Sequence, residues 1–323
     1  MLGISLLLTL VGAVFADSTA RARDRLRFQN AVQRAQVLIQ HRMETYISLL
    51  RGAAALFAVD GEVSQGEFQT FLQRQDISHR FPGVQGIGFA RRIPPGERQA
   101  VLDQLRRELG GFRIWPRPDR TEAVPVIYLE PLTRRNQQAL GYDMFTEPVR
   151  RAAMERARDT GLAAVTSRVT LINDTGPGRQ AGFLIYLPVY RSGAFPLTLE
   201  ERRAELLGFV YSAFRADDLF RAILPPGQAW TVSFEVFAGL PAPENLLHRS
   251  SPGSPPGRFK TLGGFDVADS SWTVAYTTLP HFEAGSSRSQ AAWLLLGGLI
   301  SSAVFFFLAR AQVRAEMESA RLF

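Results

Sequence analysis

The sequence predicts a mixed α/β (α+β) fold: a long N-terminal helix, then two tandem sheet-containing domains, with an apolar segment at either end. Three observations predict it. Between residues 25 and 59 the apolar positions Phe28, Val32, Ala35, Ile39, Met43, Tyr46, Leu50, Ala53 and Phe57 advance by three or four, the spacing of one helix face. From residue 81 onward, short apolar alternations bounded by Gly, Pro, Asn and Asp replace that period, as strands joined by tight turns require. Residues 2–16 and 291–309 carry no charge.

The elements follow in order. Residues 2–16 are short for a full span, and Val14-Phe15-Ala16 at their end also suits a signal peptidase. No basic residue precedes them, and Arg21, Arg23, Arg25 and Arg27 follow. The long helix occupies residues 24–60. Two uses fit its stripe: packing on the core of its own domain, or pairing with a second subunit. Residues 66–75 predict a short helix, 81–93 a strand, and 95–109 a helix with Pro94-Pro95 at its start and Gly110-Gly111 at its end. Strands are expected over 112–115 and 124–129 around a turn at 116–120, then a helix over 148–159 that stops at Thr160-Gly161. Two more strands, 165–172 and 183–189, flank the polar turn at 173–178. With the helix at 66–75 these elements make a first domain over 61–195. After a polar linker at 191–204, a second set begins: strand 206–214, helix 216–223, strand 231–238, a Pro/Gly/Ser loop at 250–257 and strand 271–278. This is read as a smaller domain over 196–287, nearer the membrane.

At about 1.5 Å per residue, 291–309 is long enough to cross the ~30 Å hydrocarbon layer. Trp293 stands at one edge and Arg310 and Arg314 just past the other, an interfacial aromatic and positive-inside charges. Residues 310–323 are then cytoplasmic, with Val313, Met317 and Ala320 at helical spacing.

Composition removes several function classes. The chain of 323 residues is 46% hydrophobic and 21% charged, ordinary for a protein with a packed core. Its net charge of +7 is spread along the chain and carried by arginine, Lys260 being the one lysine, so no basic stripe marks a nucleic-acid surface. With no cysteine there is no disulfide frame, thiolate chemistry or cysteine-bound zinc. His41, His79, His248 and His281 lie too far apart for two ligands on one helix face, so no metal is expected. No nucleophile elbow, H-E-x-x-H, phosphate-binding loop or EF-hand loop is present, and nothing points to a cofactor.

Several ordered motifs resemble a known family. They are Pro82-Gly83-Val84-Gln85-Gly86 with the trailing Arg91-Arg92; Val126-Ile127-Tyr128; Gly141-Tyr142-Asp143-Met144, followed by Arg150 and the run Arg156-Ala157-Arg158-Asp159-Thr160-Gly161; and Gly182-Phe183-Leu184-Ile185-Tyr186-Leu187-Pro188-Val189-Tyr190. In order and spacing, over roughly residues 40–225, they resemble the CHASE domain, the extracytoplasmic sensor module of membrane histidine kinases and nucleotide cyclases, plant cytokinin receptors included. The resemblance implies two PAS-like units and a multi-pass protein of the inner (plasma) membrane with its sensor outside the cytoplasm. It favours residues 2–16 as an uncleaved first transmembrane segment; the stripe from Phe28 to Phe57, a heptad-like seam with little else to bury against near the membrane, is the expected seam of a homodimer. The resemblance also makes residues 310–323 the start of a signalling helix leading to a histidine kinase or a diguanylate or adenylate cyclase. The chain itself is then no enzyme. A stand-alone membrane-anchored binding or scaffold protein and an uncharacterised hydrolase are the alternatives.

The resemblance also places a ligand site. Asp143, a lone carboxylate among apolar residues just ahead of a helix, falls where the family's purine-contacting aspartate lies. On physical grounds it serves equally as a helix cap or as an acceptor for ligand N–H groups. Tyr128, Val165, Thr166, Phe183 and Tyr211 are implied as pocket residues, each with a rival reading as sheet core. Tyr186 departs from the pattern: plant receptors carry a small hydroxyl residue there, and a phenol shrinks or repolarises the cavity. Cytokinin is therefore not carried over. An adenine-like molecule, an amine or another heterocycle is the expected ligand class.

Overall fold

The structure, a computed structural model, describes residues 2–60, 63–116, 121–172, 180–191, 196–223, 230–255 and 257–319. The turns expected within 117–120 and 173–178, and the last residues of the tail, lie outside these. Internal contacts divide the chain into two units, residues 1–33, 254–260 and 277–323 in one and residues 34–253 and 261–276 in the other.

Helix α1 runs Leu2–Asp60, so the N-terminal apolar segment and the stalk are one continuous helix. After it come α2 (Gln65–Arg74), the single turn α3 (Ile77–Arg80), β1 (Val84–Arg91), α4 (Arg98–Leu109), β2 (Val126–Glu130) and α5 (Arg134–Gln137). Then follow α6 (Pro148–Thr160), β3 (Ala164–Val165), β4 (Gly182–Tyr190), α7 (Leu199–Glu205), β5 (Leu206–Arg215) and α8 (Ala216–Arg221). The C-terminal part holds β6 (Val232–Phe237), β7 (Leu246–Arg249), β8 (Lys260–Val267), β9 (Ser270–Thr278), α9 (Pro280–Ala284) and α10 (Arg288–Ser319). Starts and stops follow capping chemistry. Ser64 and Glu67 form a reciprocal capping box at α2, Glu147 caps α6 with Pro148 in its first turn, and Gly161 ends α6 at φ 75.

The strands form two sheets, a five-stranded one in the order β2-β1-β5-β4-β3 and a four-stranded one in the order β7-β6-β9-β8. In the first, β1 pairs antiparallel with both β2 and β5, and β4 antiparallel with β5 and β3. This corrects the domain boundary expected near residue 195. The strand assigned to the start of a second sheet, β5, lies at the centre of the first, because its near-continuous apolar run is buried on both faces. The presumed linker before it carries α7, closed by a capping box of Thr198 and Glu201. Residues 112–115 form no strand: Trp115 makes a single bridge to Tyr142, and its indole N–H donates to the Leu140 carbonyl. The strand expected over 165–172 shortens to β3 and a bridge between Val169 and Gly182.

The α1 stripe is buried inside the chain. Phe57 stacks on Phe89 of β1 at 4.2 Å, and Tyr46 packs on Phe214 of β5 at 5.2 Å while donating to the Pro82 carbonyl at 2.5 Å. Ile39, Met43, Leu50 and Ala53 are equally buried. The expectation that this stripe is an intersubunit seam is thereby corrected, since the apolar surface it offered is spent on the chain's own sheet. In the first unit, Phe28 stacks on Phe259 at 5.7 Å, the Arg27 guanidinium lies 4.7 Å over the Phe282 ring, and Asp24 accepts from the Ser286 hydroxyl.

Candidate functional site

The candidate site lies where α6 and the segment before it cover one face of the five-stranded sheet. Pairing fixes which residues share that face. Gly88 opposes Leu129 and Tyr211, and Tyr211 opposes Tyr186, while Leu184 opposes Ala213. Side chains alternate across a strand, so Phe89, Tyr128, Phe183 and Phe214 point the other way, toward α1. Two glycines make room for the site. A Cβ on Gly88 would stand 2.6 Å from the Tyr211 ring, and one on Gly86 would stand 2.9 Å from Leu129 and 3.0 Å from the Asn136 amide nitrogen.

Between this face and α6 is a cavity of about 30 Å³, bounded among others by Gln85, Asn136, Met144, Arg150, Leu184 and Tyr211. Arg150 is buried. It shares one face of α6 with Ala153, Met154 and Ala157, also buried. Its Nη1 donates to the Met144 sulfur at 3.4 Å and its Nη2 to the Thr170 carbonyl at 3.1 Å. The guanidinium sits 5.2 Å above the Tyr142 ring. Tyr186 and Tyr211 lie side by side, ring centres 5.9 Å apart, and the Tyr186 hydroxyl touches the Met144 sulfur at 3.5 Å. Burial raises both phenols well above the usual tyrosine range, so they are neutral hydrogen-bond donors.

The residues named from sequence divide between the two faces. Tyr186 and Tyr211 meet beneath α6. Tyr128 and Phe183 lie on the α1 face; the Tyr128 hydroxyl donates to the Val63 carbonyl at 3.1 Å, and Phe183 stacks on Phe214 and meets Trp272 edge-on. Val165 donates its N–H to Asp269 at 2.9 Å, and Thr166 accepts from the Leu184 N–H at 3.0 Å. A single pocket shared by all of them is thus corrected: with a period of two, Phe183 and Tyr186 of one strand cannot face the same way. Asp143 is wholly buried, and its Oδ1 accepts from the N–H groups of Val124 at 2.9 Å and Phe145 at 3.1 Å. It thereby caps the 3-10 turn Met144–Thr146, holding Met144 against the cavity. The large phenol of Tyr186 stands buried in the same core cluster as Met144 and Tyr211. Arg150 enters the sequence reading as a motif residue and not as a pocket residue, yet its spacing from Ala153, Met154 and Ala157 marks it as a cation on an apolar helix face.

A second, larger cleft of about 810 Å³ opens on the α1 side, bounded by Phe57, Phe89, Tyr128, Arg91, Glu97 and Glu108 among others. Among the described residues, no group of three His, Asp or Glu side chains is placed to hold a metal ion.

Comparison with protein families matches residues 61–248 to the CHASE domain. The chain belongs to the CHASE domain family, a family of sensory modules. It is 25% identical over 214 residues to hybrid signal transduction histidine kinase A of Dictyostelium discoideum, a match that covers 62% of this chain and 9% of that protein. Among solved structures it is similar to the periplasmic sensory domain of the Campylobacter jejuni chemoreceptor Tlp1 (11% identity, TM-score 0.46, 78% of this chain and 94% of the other). It is also similar to an extracellular ligand-binding receptor from Desulfohalobium retbaense (12% identity, TM-score 0.44, 78% and 40%).

Proposed function

We propose that this chain is the extracytoplasmic sensor portion of a membrane-anchored signalling protein, and that a small molecule binds between the five-stranded sheet and α6. The observation that carries the reading is the mostly apolar cavity there, which three polar side chains, Asn136, Arg150 and Tyr211, border together. Such convergence of a few polar groups in an apolar pocket is how small-ligand sites are built. The five-stranded antiparallel sheet supports a PAS-like unit, with the four-stranded sheet as a second. The domains follow as two PAS-like units between anchors, with β5 belonging to the first.

Anchoring rests on α10, whose segment Ala292–Arg314 has a mean hydropathy of 2.1 and is long enough to cross a bilayer. Residues 2–16 form the second span of a multi-pass inner-membrane protein. Support comes from the close approach of Gly298 to Thr9, where a Cβ would meet the threonine side chain; small residues let helices approach in lipid. Just outside, Arg288 pairs with Asp17 at 2.9 Å and Ser286 bonds Asp24, tying α1 to the start of α10. The ligand signal passes along these helices to a histidine kinase or a diguanylate or adenylate cyclase, and requires that the ligand bind one arrangement more tightly than another. A homodimer forms through the open face of α1, where Leu26 and Val37 are exposed.

A thermal-shift screen of the full chain in nanodiscs, with organic acids, amino acids, amines, adenine-like heterocycles and their uncharged analogues, tests the reading. A saturable rise in Tm with one class supports it. Turnover of any compound favours a hydrolase instead.

A further inference from the structure

Arg150 is a cation buried with partners too weak for its charge. Its Nη1 is spent on a thioether sulfur, a poor acceptor, and its Nη2 on one carbonyl. The Nε has no hydrogen-bond partner among the described residues. The carboxylate nearest to it is Glu147, whose Oε2 stands 3.9 Å from Nε. Glu147 cannot come closer without giving up its cap, since its two oxygens accept from the N–H groups of Val149 at 3.1 Å and Arg150 at 2.8 Å. The Tyr142 ring offers only partial compensation from above. A charge taken out of water normally finds a paired, hydrogen-bonded anion, and here none is within bonding distance among the described residues.

The cavity supplies the place for one. Its volume of about 30 Å³ admits a carboxylate group or two waters, and a purine only if α6 moves. Arg150 and the phenol of Tyr211 both border it, and no hydrogen bond to the Tyr211 hydroxyl is made among the described residues. A planar guanidinium with a free Nε edge matches a carboxylate in geometry as well as charge. An amine would meet a fixed positive charge.

We propose that the ligand of this site is a small carboxylate, an organic acid or amino acid, with Arg150 as its anchor and the Tyr211 hydroxyl as a second donor. This rests on the sensor reading and narrows the ligand class within it.

The test uses the full chain in nanodiscs and titrates acetate, succinate and glycine against acetamide, methylamine, adenine, chloride and phosphate, read by Tm and by calorimetry. Saturable binding of at least one carboxylate, with its uncharged or cationic counterpart silent, is the expected result. Arg150→Met should abolish that binding, a loss of at least a hundredfold, and leave the unliganded Tm equal to or above that of the unsubstituted chain, because a buried cation is removed. Arg150→Lys should weaken binding about tenfold, and Tyr211→Phe roughly three- to tenfold. Where Arg150→Met does not fold, the lysine and phenylalanine variants decide. A carboxylate that stabilises the native chain and all folded variants equally overturns the assignment, as does binding of chloride or phosphate without any carboxylate. Binding of adenine or methylamine alone overturns it and leaves the sensor reading standing. Silence from every compound overturns both.

Discussion

Gly88 shows how closely single residues set this site. With the Tyr211 ring 2.6 Å from any Cβ and the Tyr128 carbonyl 2.7 Å away, Gly88→Ala must push the phenol into the cavity or spread β1 from β2. A cost of about 1–3 kcal/mol in denaturant unfolding is expected, with loss of ligand binding. Asp143 carries a different load. Removing its carboxylate in Asp143→Ala leaves two buried N–H groups without their acceptor, each worth about 1–3 kcal/mol, so stability should fall more than for Asp143→Asn, which keeps one oxygen. Part of this was legible beforehand: the cap reading of Asp143 is local, and its side chain accepts from the Phe145 N–H two residues on. The importance of Arg150 was not, because its partners Met144 and Thr170 become neighbours only once α6 is laid on the sheet.

At the scale of elements, helices were legible where stop chemistry closes them, as at α6, whose end at Thr160-Gly161 is where the structure places it. Strand partnership was not. The apolar run of β5 reads the same whether it opens a new sheet or sits between β1 and β4, since pairing is a non-local choice. The α1 stripe posed the same problem, and packing resolves it: Ile39→Asp places a charge at a fully buried position and should cost more than about 4 kcal/mol, whereas Val37→Asp, on the exposed face, should leave stability within about 0.5 kcal/mol while weakening self-association in analytical ultracentrifugation. A second tie joins α8 to β7, where His248 Nδ1 meets Asp217 at 2.6 Å and its ring stacks on Phe220 at 5.3 Å. Burial lowers the His248 pKa despite the Asp217 partner, and the Arg221 charge lowers it further. A group with a depressed folded pKa adds stability that is complete above its unfolded value, about 6.5, and is lost as pH falls through the folded value. Unfolding midpoints at pH 7.5 and pH 5 should therefore differ more for the native chain than for His248→Gln.

For the whole molecule, one face of the five-stranded sheet carries the proposed ligand site and the other packs against α1. The α6 face holds a small void edged by Arg150 and Tyr211, and the α1 face is packed with Phe57, Phe89, Phe183 and Phe214 apart from its open cleft. Binding under α6 should register at Met144, whose sulfur touches both Arg150 and Tyr186, and not at Met43, buried on the stalk helix. Methyl NMR of the full chain labelled at methionine, with Met144 and Met43 assigned by substitution to leucine, measures this during titration with whichever compound raises Tm. The Met144 methyl signal should move in proportion to occupancy while Met43 stays in place. Saturation with no movement at Met144 would contradict it and transfer the site to the opposite face of the sheet.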